Sequence, residues 1–352
     1  QDNVTCLLAK VANVPNKDID EVGRELTALK IPPVMNVGMK IDDFRIDDVL
    51  FNGTRSHVYL VTCTKDNKQY VLKAPSENFA DDLAYLESFA REQWVGCRLN
   101  HKAIMRVYPR EQMNGNSHFR YHICEYVPGK TLRQWMYDNP KPSLTAVRAL
   151  VVEIVSALRA FQRQGMVHRD IKPENIIVLD NGHIKLVDFG TVQVNGLDEI
   201  SSPIEEDNVV GAVGYMAPEY LLGQKGTARS DMFSLGIIVY EMLTGELPYK
   251  KPLIQRREVS DLTDWQYMSV TQHRQDVPRW LDLVLEKVTA AKPSQRYQSF
   301  SEFVTDLSVP NKSMLEKLES APLLERDPVN FWKLVSVGLL LLLLFQTYWF
   351  NK

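Results

Sequence analysis

The sequence predicts an α+β fold in which a small β-rich region precedes a larger helical region and a single apolar helix. Strand-like runs recur between residues 44 and 127, where one helical stretch from about Asp81 to Leu99 interrupts them. From Leu132 onward the apolar residues follow a helical period, most clearly over Leu144 to Gln164. The last apolar run, Leu334 to Asn351, contains no charged side chain. These patterns order the chain into a mixed region, a helical region and an apolar tail.

The composition fits a globular protein that buries a sizeable core. Hydrophobic residues make up 45% and charged residues 24% of the 352 residues. The net charge of −3 gives no reason to expect a nucleic-acid partner. The four cysteines lack the spacing of metal ligands, which favours a reducing compartment over a disulfide framework. Because the chain opens with Gln1, without an initiator Met or a signal peptide, we expect a fragment or a processed product.

The N-terminal residues contain a β-rich run, Val4 to Val11, with no local strand to pair with. This isolation suggests that the rest of its sheet lies upstream. The start of the run, Asp2-Asn3-Val4-Thr5, is similar to the closing strand of PP2C-type phosphatases, in which the Asp helps to bind a metal. We therefore expect residues 1–30 to be a remnant of an upstream phosphatase domain and residues 31–43 to be a linker. One ligand without its partners cannot assemble a metal site.

The mixed region presents its elements in the order three strands, one helix, two strands. Lys73 ends the third strand between Leu72 and Ala74, and these apolar neighbours favour a side chain that lies inward. The fifth strand ends at Pro128-Gly129, a turn signal that leaves backbone groups free to pair with a ligand. The strand-like runs are Arg45–Leu50, Val58–Cys63, Gln69–Lys73, Met105–Arg110 and Tyr121–Tyr126.

Residues 168 to 190 place Asp170, Asn175 and Asp188 among short apolar runs. Two of these runs flank Asp180-Asn181-Gly182, which is a hairpin turn signal. Such a hairpin holds oxygen-bearing side chains at the rim of a small sheet, where they could bind Mg²⁺ and orient a nucleophile. The alternative is a turn-rich hairpin with solvated acids.

Several motifs of this region resemble those of protein kinases. His168-Arg169-Asp170, together with Asn175, is similar to the catalytic loop, and Asp188-Phe189-Gly190 is similar to the metal-binding loop. Downstream, Met216-Ala217-Pro218-Glu219 resembles the end of the activation segment. The set also includes Asp231 in a run that resembles the start of helix F.

This resemblance implies a bilobal protein-kinase fold. The kinase domain would span residues 44–310, with a small β-rich N-lobe (44–124) that carries helix C and a larger α-helical C-lobe (128–310). Its cofactors would be ATP and Mg²⁺, with Mn²⁺ as an alternative metal, and its substrates would be protein hydroxyls. Lys172, two residues after Asp170, resembles serine/threonine kinases more than tyrosine kinases.

The same resemblance assigns the nucleotide site. Aligning Val58 with the Val of G-x-G-x-x-G-x-V places Phe51, Gly53 and Ser56 at the glycine positions, so only the middle glycine remains. Lys73 would hold the α- and β-phosphates with a carboxylate partner from helix C. Glu87 and Glu92 are the candidates for that partner, and the spacing to Leu99-Asn100-His101 favours Glu92. In the hinge, the adenine contacts would be the carbonyl of Glu125 and the amide of Val127, with Cys124 as gatekeeper.

Phosphoryl transfer asks the protein for positioning and for neutralisation of charge. By the resemblance, Asp170 would orient the proton of the incoming hydroxyl, and Lys172 would offset the charge that develops on the γ-phosphate. Asn175 and Asp188 would bind the metal through hard oxygens. His168 has a packing role in this pattern.

Other motif residues imply architecture or regulation. Glu219 would pair with Arg296, Asp231 would hold the backbone of the catalytic loop, and Arg169 would contact a phosphorylated loop residue. The candidates for phosphorylation are Thr191, Ser201 and Ser202. The acidic residues of this loop form a solvated charge run in the simpler interpretation. In the alternative, one acidic residue pairs with Arg169 in place of a phosphate. The candidates are Glu205, Glu206 and Asp207.

One position departs from the kinase pattern in a way that affects the rate. Ala212 stands where serine/threonine kinases usually carry a Thr, whose hydroxyl bridges the catalytic Asp and Lys. The loss of one hydrogen bond to charged groups costs roughly 1.5–3 kcal/mol. In the transition state this cost corresponds to a rate about tenfold to hundredfold lower. We therefore expect a slow kinase rather than an inactive one.

The C-terminal residues predict a membrane anchor. A helix over Leu334 to Asn351 would be about 27 Å long, close to the roughly 30 Å hydrocarbon core of a bilayer. We expect a juxtamembrane linker at residues 311–330 and a transmembrane helix at residues 331–351, with aromatic residues near both ends. Only Lys352 follows the apolar run, so the positive-inside rule places the kinase domain in the cytoplasm. The basic residues before the run are Lys312, Lys317, Arg326 and Lys333.

The chain is therefore identified as a membrane-anchored bacterial serine/threonine protein kinase involved in signalling, of the type fused C-terminally to a PP2C-type phosphatase. Two alternatives stay open. Phe51, Ser56 and Ala212 are compatible with a pseudokinase that binds nucleotide and scaffolds partners at a membrane. The region could also regulate a phosphatase domain of the same full-length chain.

Overall fold

The structure is a computed structural model and describes residues 29–113, 115–195, 213–249, 265–320 and 328–350. These residues form two compact units. The first draws its described residues from Gln1–Leu132, Ser156–Arg169 and Glu174–Asp207, and the second from Arg133–Val155, Asp170–Pro173 and Asn208–Lys352. Several expectations concern residues outside the described ranges, namely the phosphatase-like residues 1–28, Ser201, Ser202, the acidic residues 205–207 and Ala212.

The strands of the described residues all lie in the first unit. They are β1 (Lys40–Ile41), β2 (Phe44–Asn52), β3 (Ser56–Cys63), β4 (Gln69–Pro75), β5 (Val107–Tyr108), β6 (His122–Glu125), β7 (Lys130–Thr131), β8 (Met166–Val167), β9 (Ile176–Val178), β10 (Ile184–Leu186) and β11 (Gln193–Val194). The α-helices are α1 (Leu83–Arg98), α2 (Arg110–Met113), α3 (Leu132–Asp138), α4 (Leu144–Arg163), α5 (Pro218–Leu221), α6 (Ala228–Thr244), α7 (Arg279–Val288), α8 (Phe300–Ser308), α9 (Lys312–Ser320) and α10 (Pro328–Phe350).

Six strands form an antiparallel sheet in the order β1-β2-β3-β4-β6-β5. Burial alternates along β3, because successive side chains of a strand point to opposite faces. One face carries a core that includes Phe44, Tyr59, Val61 and Leu72. The predicted order of three strands, one helix and two strands is confirmed. The fourth predicted strand is shorter than expected, because the chain turns into α2 directly after it.

The residues expected to be a linker, 31–43, contact this sheet more closely than the sequence indicated. The Met35 amide donates to the Tyr59 hydroxyl at 3.1 Å, and the Met35 side chain is 3% exposed. Ile41 joins the same core through the pairing of β1 with β2. Apolar residues in this segment cover sheet surface that would otherwise meet water, so the segment packs instead of remaining free.

The predicted hairpin at residues 176–187 is confirmed. Strands β9 and β10 pair antiparallel, with Ile184 opposite Val178, and Gly182 has a φ of +80° in the turn. The hairpin belongs to the first unit, because the Leu186 amide donates to the Ala103 carbonyl at 2.9 Å and the Leu186 carbonyl accepts from the Met105 amide at 2.9 Å.

Helix α6 forms the centre of the second unit, and most of its residues are buried. A capping box between Thr227 and Ser230 starts it, and Gly245, at a φ of +76°, ends it. A β-carbon at Gly236 would lie 2.6 Å from the Val288 side chain, so glycine allows close packing with α7. Helix α4 buries its whole predicted apolar face, which comprises Val147, Leu150, Val151, Ile154, Val155, Leu158 and Phe161.

The C-terminal helix α10 is long and apolar enough to cross a membrane, judged by its length and composition. The candidate span is Asn330–Phe350, with a mean hydropathy of 1.6, and no part of its most apolar stretch is buried against the protein. Helix α9 precedes it, and its Met314 is buried in the second unit. Part of the expected juxtamembrane linker is therefore helical.

Candidate active site

Helix α1 positions an acidic side chain at the polar centre of the first unit. Asp82 caps the helix by accepting a hydrogen bond from the Tyr85 amide at 3.0 Å. Glu92 is buried on this helix, whereas Glu87 is exposed to solvent. The five-residue spacing rotates the two carboxylates to different faces of the helix. Only Glu92 faces the sheet.

The Lys73 ammonium lies between two carboxylates. Its Nζ is 2.7 and 2.9 Å from the two oxygens of Glu92 and 3.1 Å from Oδ1 of Asp188. The Glu92 side chain is 6% exposed, while that of Asp188 is 44% exposed. Burial disfavours the charge on Lys73, but Asp188 and Glu92 outweigh it and raise the pKa of Lys73. Lys73 therefore stays a cation with one partner buried and the other open to solvent.

The segment Asp188-Phe189-Gly190 is held against α1. Asp188 has a φ of +68°, a left-handed conformation that is costly for a residue with a side chain. The backbone of Phe189 hydrogen-bonds to Glu92, and the Ser88 hydroxyl donates to the Gly190 carbonyl at 3.2 Å. These contacts hold the Asp188 carboxylate next to Lys73.

His168 is a packing residue, as its motif implied. Its fully buried ring lies 5.2 Å from the ring of Phe161 and 6.3 Å from that of Phe189. Its carbonyl accepts the hydroxyl of Thr191 at 3.0 Å, so this candidate phosphorylation site is hydrogen-bonded. The next residue, Arg169, has a φ of +74°.

Asn175 and Asp188 leave the ends of neighbouring strands. The Val187 amide donates to the Asn175 carbonyl at 2.9 Å, which continues the β9–β10 ladder by one pair. The amide and carboxylate oxygens of these residues suit Mg²⁺, and they suit Mn²⁺ equally. Among the described residues, no group of three His, Cys, Asp or Glu side chains could hold a metal. A donor set this small fits a Mg²⁺ ion that takes its remaining ligands from water and phosphate.

The hinge strand β6 carries the predicted adenine contacts. Cys124 is buried, and this burial raises the pKa of its thiol, so the gatekeeper position is neutral. The Glu125 carboxylate pairs with the Lys185 ammonium at 2.8 Å and accepts from the Arg106 amide at 3.0 Å. Val127 follows two residues after Glu125, beyond the end of the strand. The Glu125 side chain thus ties the hinge to strand β10.

The loop between β2 and β3, residues 51–56, is the degenerate glycine loop and is called the phosphate loop below. The Gly53 amide donates to the Ser56 carbonyl at 3.0 Å, which closes the turn. A β-carbon at Gly53 would overlap the Phe51 ring, so the only glycine retained from the motif is sterically required. Val58 lies directly opposite Lys73 in the β3–β4 register.

Two predicted catalytic residues, Asp170 and Lys172, lie in the second unit. The Lys172 ammonium is 2.6 Å from Oδ2 of Asp170, and both side chains are partly exposed. The same unit holds Asp231 in the first turn of α6, where it is buried.

Glu219 and Arg296 form a buried ion pair in the second unit. Two hydrogen bonds of 2.8 and 2.7 Å join the guanidinium and the carboxylate, whose side chains are 0% and 3% exposed. The Ser230 hydroxyl also donates to Glu219 at 2.6 Å. A bidentate pair with further donors is the geometry in which buried charges are compensated.

The structure shows supporting contacts that the motifs did not indicate. The Phe89 ring stacks on the His122 ring with centroids 3.8 Å apart, beside the strand position of Lys73. A β-carbon at Gly96 would lie 3.2 Å from the Phe189 ring and would overlap Val107. A stripe at helical spacing, Tyr85, Ser88, Glu92 and Gly96, was the sequence signal that could have identified this face.

The family model for the protein kinase domain matches residues 44–308. The chain therefore belongs to the protein kinase family. The sheet with α1 in the first unit and the helices of the second unit are the two parts of that fold. As a member of this family, the chain is expected to use ATP and a divalent metal.

The relatives specify the class further. A probable serine/threonine-protein kinase of Clostridium acetobutylicum is 29% identical over 268 residues, covering 75% of this chain and 39% of the relative. The serine/threonine-protein kinase PknB of Mycolicibacterium smegmatis is 31% identical over 271 residues, covering 76% and 42%. PrkC of Bacillus subtilis is 28% identical over 278 residues, covering 78% and 41%. The domain is thus that of a protein serine/threonine kinase, and the chain spans about two fifths of the length of these relatives.

Solved structures agree with this class. The kinase domain of PknI from Mycobacterium tuberculosis is 26% identical and superposes with a TM-score of 0.58. The match covers 78% of this chain and 98% of the PknI domain.

Proposed function

We propose that this chain transfers the γ-phosphoryl group of ATP to serine or threonine hydroxyls of proteins while anchored to a membrane. The observation that carries the proposal is the Lys73 cation held by Glu92 and Asp188 in a chain of the protein kinase family. In this family the strand lysine acts on phosphates only when the helix carboxylate holds it in place. Both bonds from Lys73 to Glu92 are within 2.9 Å.

The first unit would bind the nucleotide. Lys73 would contact the α- and β-phosphates, and Gly53 and Val58 would lie along the phosphates and the base. The carbonyl of Glu125 and the amide of Val127 would pair with the adenine edge. Contacts through backbone atoms explain why the hinge can vary in sequence and still bind the same base.

Asn175 and Asp188 would hold the metal. Mg²⁺, when bound, neutralises charge on the β- and γ-phosphates. The chain contributes two hard oxygen donors from adjacent strand ends. Lys73 at 3.1 Å also fixes the orientation of the Asp188 carboxylate.

The second unit would act on the acceptor. Asp170 would orient the hydroxyl of the substrate and accept its proton. Lys172, at 2.6 Å from Asp170, would offset negative charge on the transferred group. Arg169 would bind a phosphorylated or acidic loop residue. Ala212 lacks the hydroxyl that bridges the Asp and Lys, and this loss supports a slow turnover.

Asp170→Asn tests the proposed activity. Removal of the proton acceptor should lower the transfer of radiolabelled γ-phosphate to a generic protein substrate by about 10²-fold or more. Binding of ATP should stay as in wild type, because Asp170 contacts the acceptor and not the nucleotide. Equal transfer by both proteins would contradict the assignment of Asp170.

A pseudokinase is the second candidate. Phe51 and Ser56 at glycine positions favour it, because they stiffen the phosphate loop. A wild-type chain that binds ATP but transfers no phosphate would establish this reading.

The proposed setting is a bacterial membrane. Helix α10 would be a single-pass C-terminal anchor, with the kinase domain (44–310) in the cytoplasm acting in signalling. The closing-strand resemblance at residues 1–30 supports a PP2C-type phosphatase domain in the same full-length chain. The upstream sequence would test that part directly.

A further inference from the structure

The phosphate loop is attached at its tip to the start of helix α1. Arg55, at the tip, offers its backbone carbonyl to two donors. The Tyr85 hydroxyl donates to this oxygen at 2.6 Å, and the Ser76 amide donates to it at 2.7 Å. Both acceptor positions of the carbonyl are thereby used. We call the contacts of Arg55 with Tyr85, Ser76 and Phe79 the loop clasp.

The side chain of Arg55 strengthens the same attachment. Its guanidinium lies 5.3 Å from the ring centre of Phe79 and 5.8 Å from that of Tyr85. The two rings contact each other with centroids 5.1 Å apart. A cation over aromatic faces is attracted by their negative quadrupoles. The loop tip is therefore bound by both its backbone and its side chain.

The helix that carries Tyr85 also carries the partner of the phosphate-binding lysine. Ser88 and Glu92 follow Tyr85 on the same helical stripe, and they bond to Gly190 and Lys73. Asp82 fixes the Tyr85 backbone through the helix cap. One rigid helix thus holds the phosphate loop at one end and the lysine at the other.

We propose that Tyr85 is a positioning residue for the nucleotide phosphates, because it holds the phosphate loop in place through the Arg55 carbonyl. This inference rests on the proposed nucleotide binding. A loop with three glycines must lose conformational freedom when it closes over phosphates, and a loop already bound at its tip loses less. The clasp compensates for the altered glycine pattern by preorganising the loop. It should affect phosphates and leave the adenine contacts unchanged.

Tyr85→Phe removes the hydroxyl donor and retains the ring. Calorimetric titration with Mg-ATP and with adenosine separates the phosphate contacts from the base contacts. We expect the Kd for ATP to rise about threefold to tenfold, the range for one neutral hydrogen bond, and the Kd for adenosine to stay as in wild type. In steady-state assays KM for ATP should rise while kcat at saturating ATP is retained. Tyr85→Leu, which also removes the ring beneath the guanidinium, should have a larger effect.

Tyr70→Phe is the matched control. The Tyr70 hydroxyl donates to Asp66 at 2.7 Å in the same unit, away from the phosphate loop. It should reproduce any loss of thermal stability without changing either Kd. An unchanged or lower Kd for ATP in Tyr85→Phe would overturn the clasp and leave the kinase function standing. An equal loss of affinity for ATP and adenosine would also overturn it, since that result indicates a general structural role. Absence of ATP binding by wild type would instead overturn the proposed function itself.

Discussion

Individual charges around Lys73 differ in their surroundings, and this difference assigns them different tasks. Glu92 is buried and bonds Lys73 with both oxygens, whereas Asp188 is more open and uses one oxygen. A buried carboxylate with two bonds keeps the lysine in place. An exposed carboxylate with a free share of its surface can also take a metal.

Glu92→Gln should lower kcat/KM about tenfold to hundredfold. The amide keeps the shape of the side chain but loses the charge-assisted bonds to Lys73, which are worth roughly 1.5–3 kcal/mol. Glu87→Gln on the exposed face of the same helix is the control and should retain wild-type kinetics. Similar losses in both variants would show that the helix, and not the pairing, is being tested.

His122 should make the folded chain sensitive to acid. Burial lowers the pKa of His122 well below its usual 6.5, and Lys73 and Arg120 lower it further. As the pH falls below about 6.5, the unfolded chain gains a proton at this position that the folded chain does not, so stability declines. The contribution reaches at most about 1.4 kcal/mol per pH unit.

His122→Phe should remove this contribution while preserving a ring to stack on Phe89. Urea unfolding at several values between about pH 5 and pH 7.5 should give a shallower decline for the variant than for wild type. His183→Gln changes an exposed histidine and should keep the wild-type slope. Identical slopes for His122→Phe and wild type would rule out His122 as the source.

Helix α1 is the element on which the first unit's site depends. Its stripe contacts the phosphate loop through Tyr85, Gly190 through Ser88, and Lys73 through Glu92. Gly96, near the end of the stripe, lets Phe189 and Val107 approach the helix backbone. A shift of α1 would therefore disturb several contacts at once.

Gly96→Ala should destabilise the protein although alanine is the better helix former by about 1 kcal/mol. The added β-carbon would overlap Val107 and crowd Phe189, and overpacking of this kind costs roughly 1–3 kcal/mol. We expect a lower melting temperature and a lower phosphotransfer rate. Glu87→Ala, at an exposed position of the same helix, should cause neither. A more stable and fully active Gly96→Ala protein would contradict the packing argument.

The hairpin β9–β10 illustrates what local signals can predict. Two short apolar runs around Asp180-Asn181-Gly182 predicted the paired strands that the structure has. The same reasoning overestimated the strand around Met105–Arg110 and described residues 31–43 as a linker, because neither assignment could include contacts with distant residues. Met35 and Ile41 are buried only because the sheet provides the surface.

The apolar helix α10 determines where the whole chain would act. A chain ending at Ser320 should remain in solution with liposomes, whereas the full chain should float with them, because about 20 apolar residues match the bilayer core. ATP binding should be equal in both. A full-length variant with Leu341→Arg and Leu342→Arg is the matched control and should lose flotation, since charge at the membrane centre costs roughly 2.5–3.5 kcal/mol per residue. Flotation of that variant would contradict a transmembrane helix.

The sequence by itself determined the class of fold, the order of the elements, the hairpin and the motif residues, because these follow from periodicity, turn residues and spacing along the chain. It also favoured Glu92 over Glu87 by spacing. Only the tertiary structure decided that Lys73 contacts Asp188 as well as Glu92, that residues 31–43 cover the sheet, and that Tyr85 holds the phosphate loop. Each of these contacts joins residues far apart in sequence or depends on the rotation of a helix face, and local patterns do not carry that information.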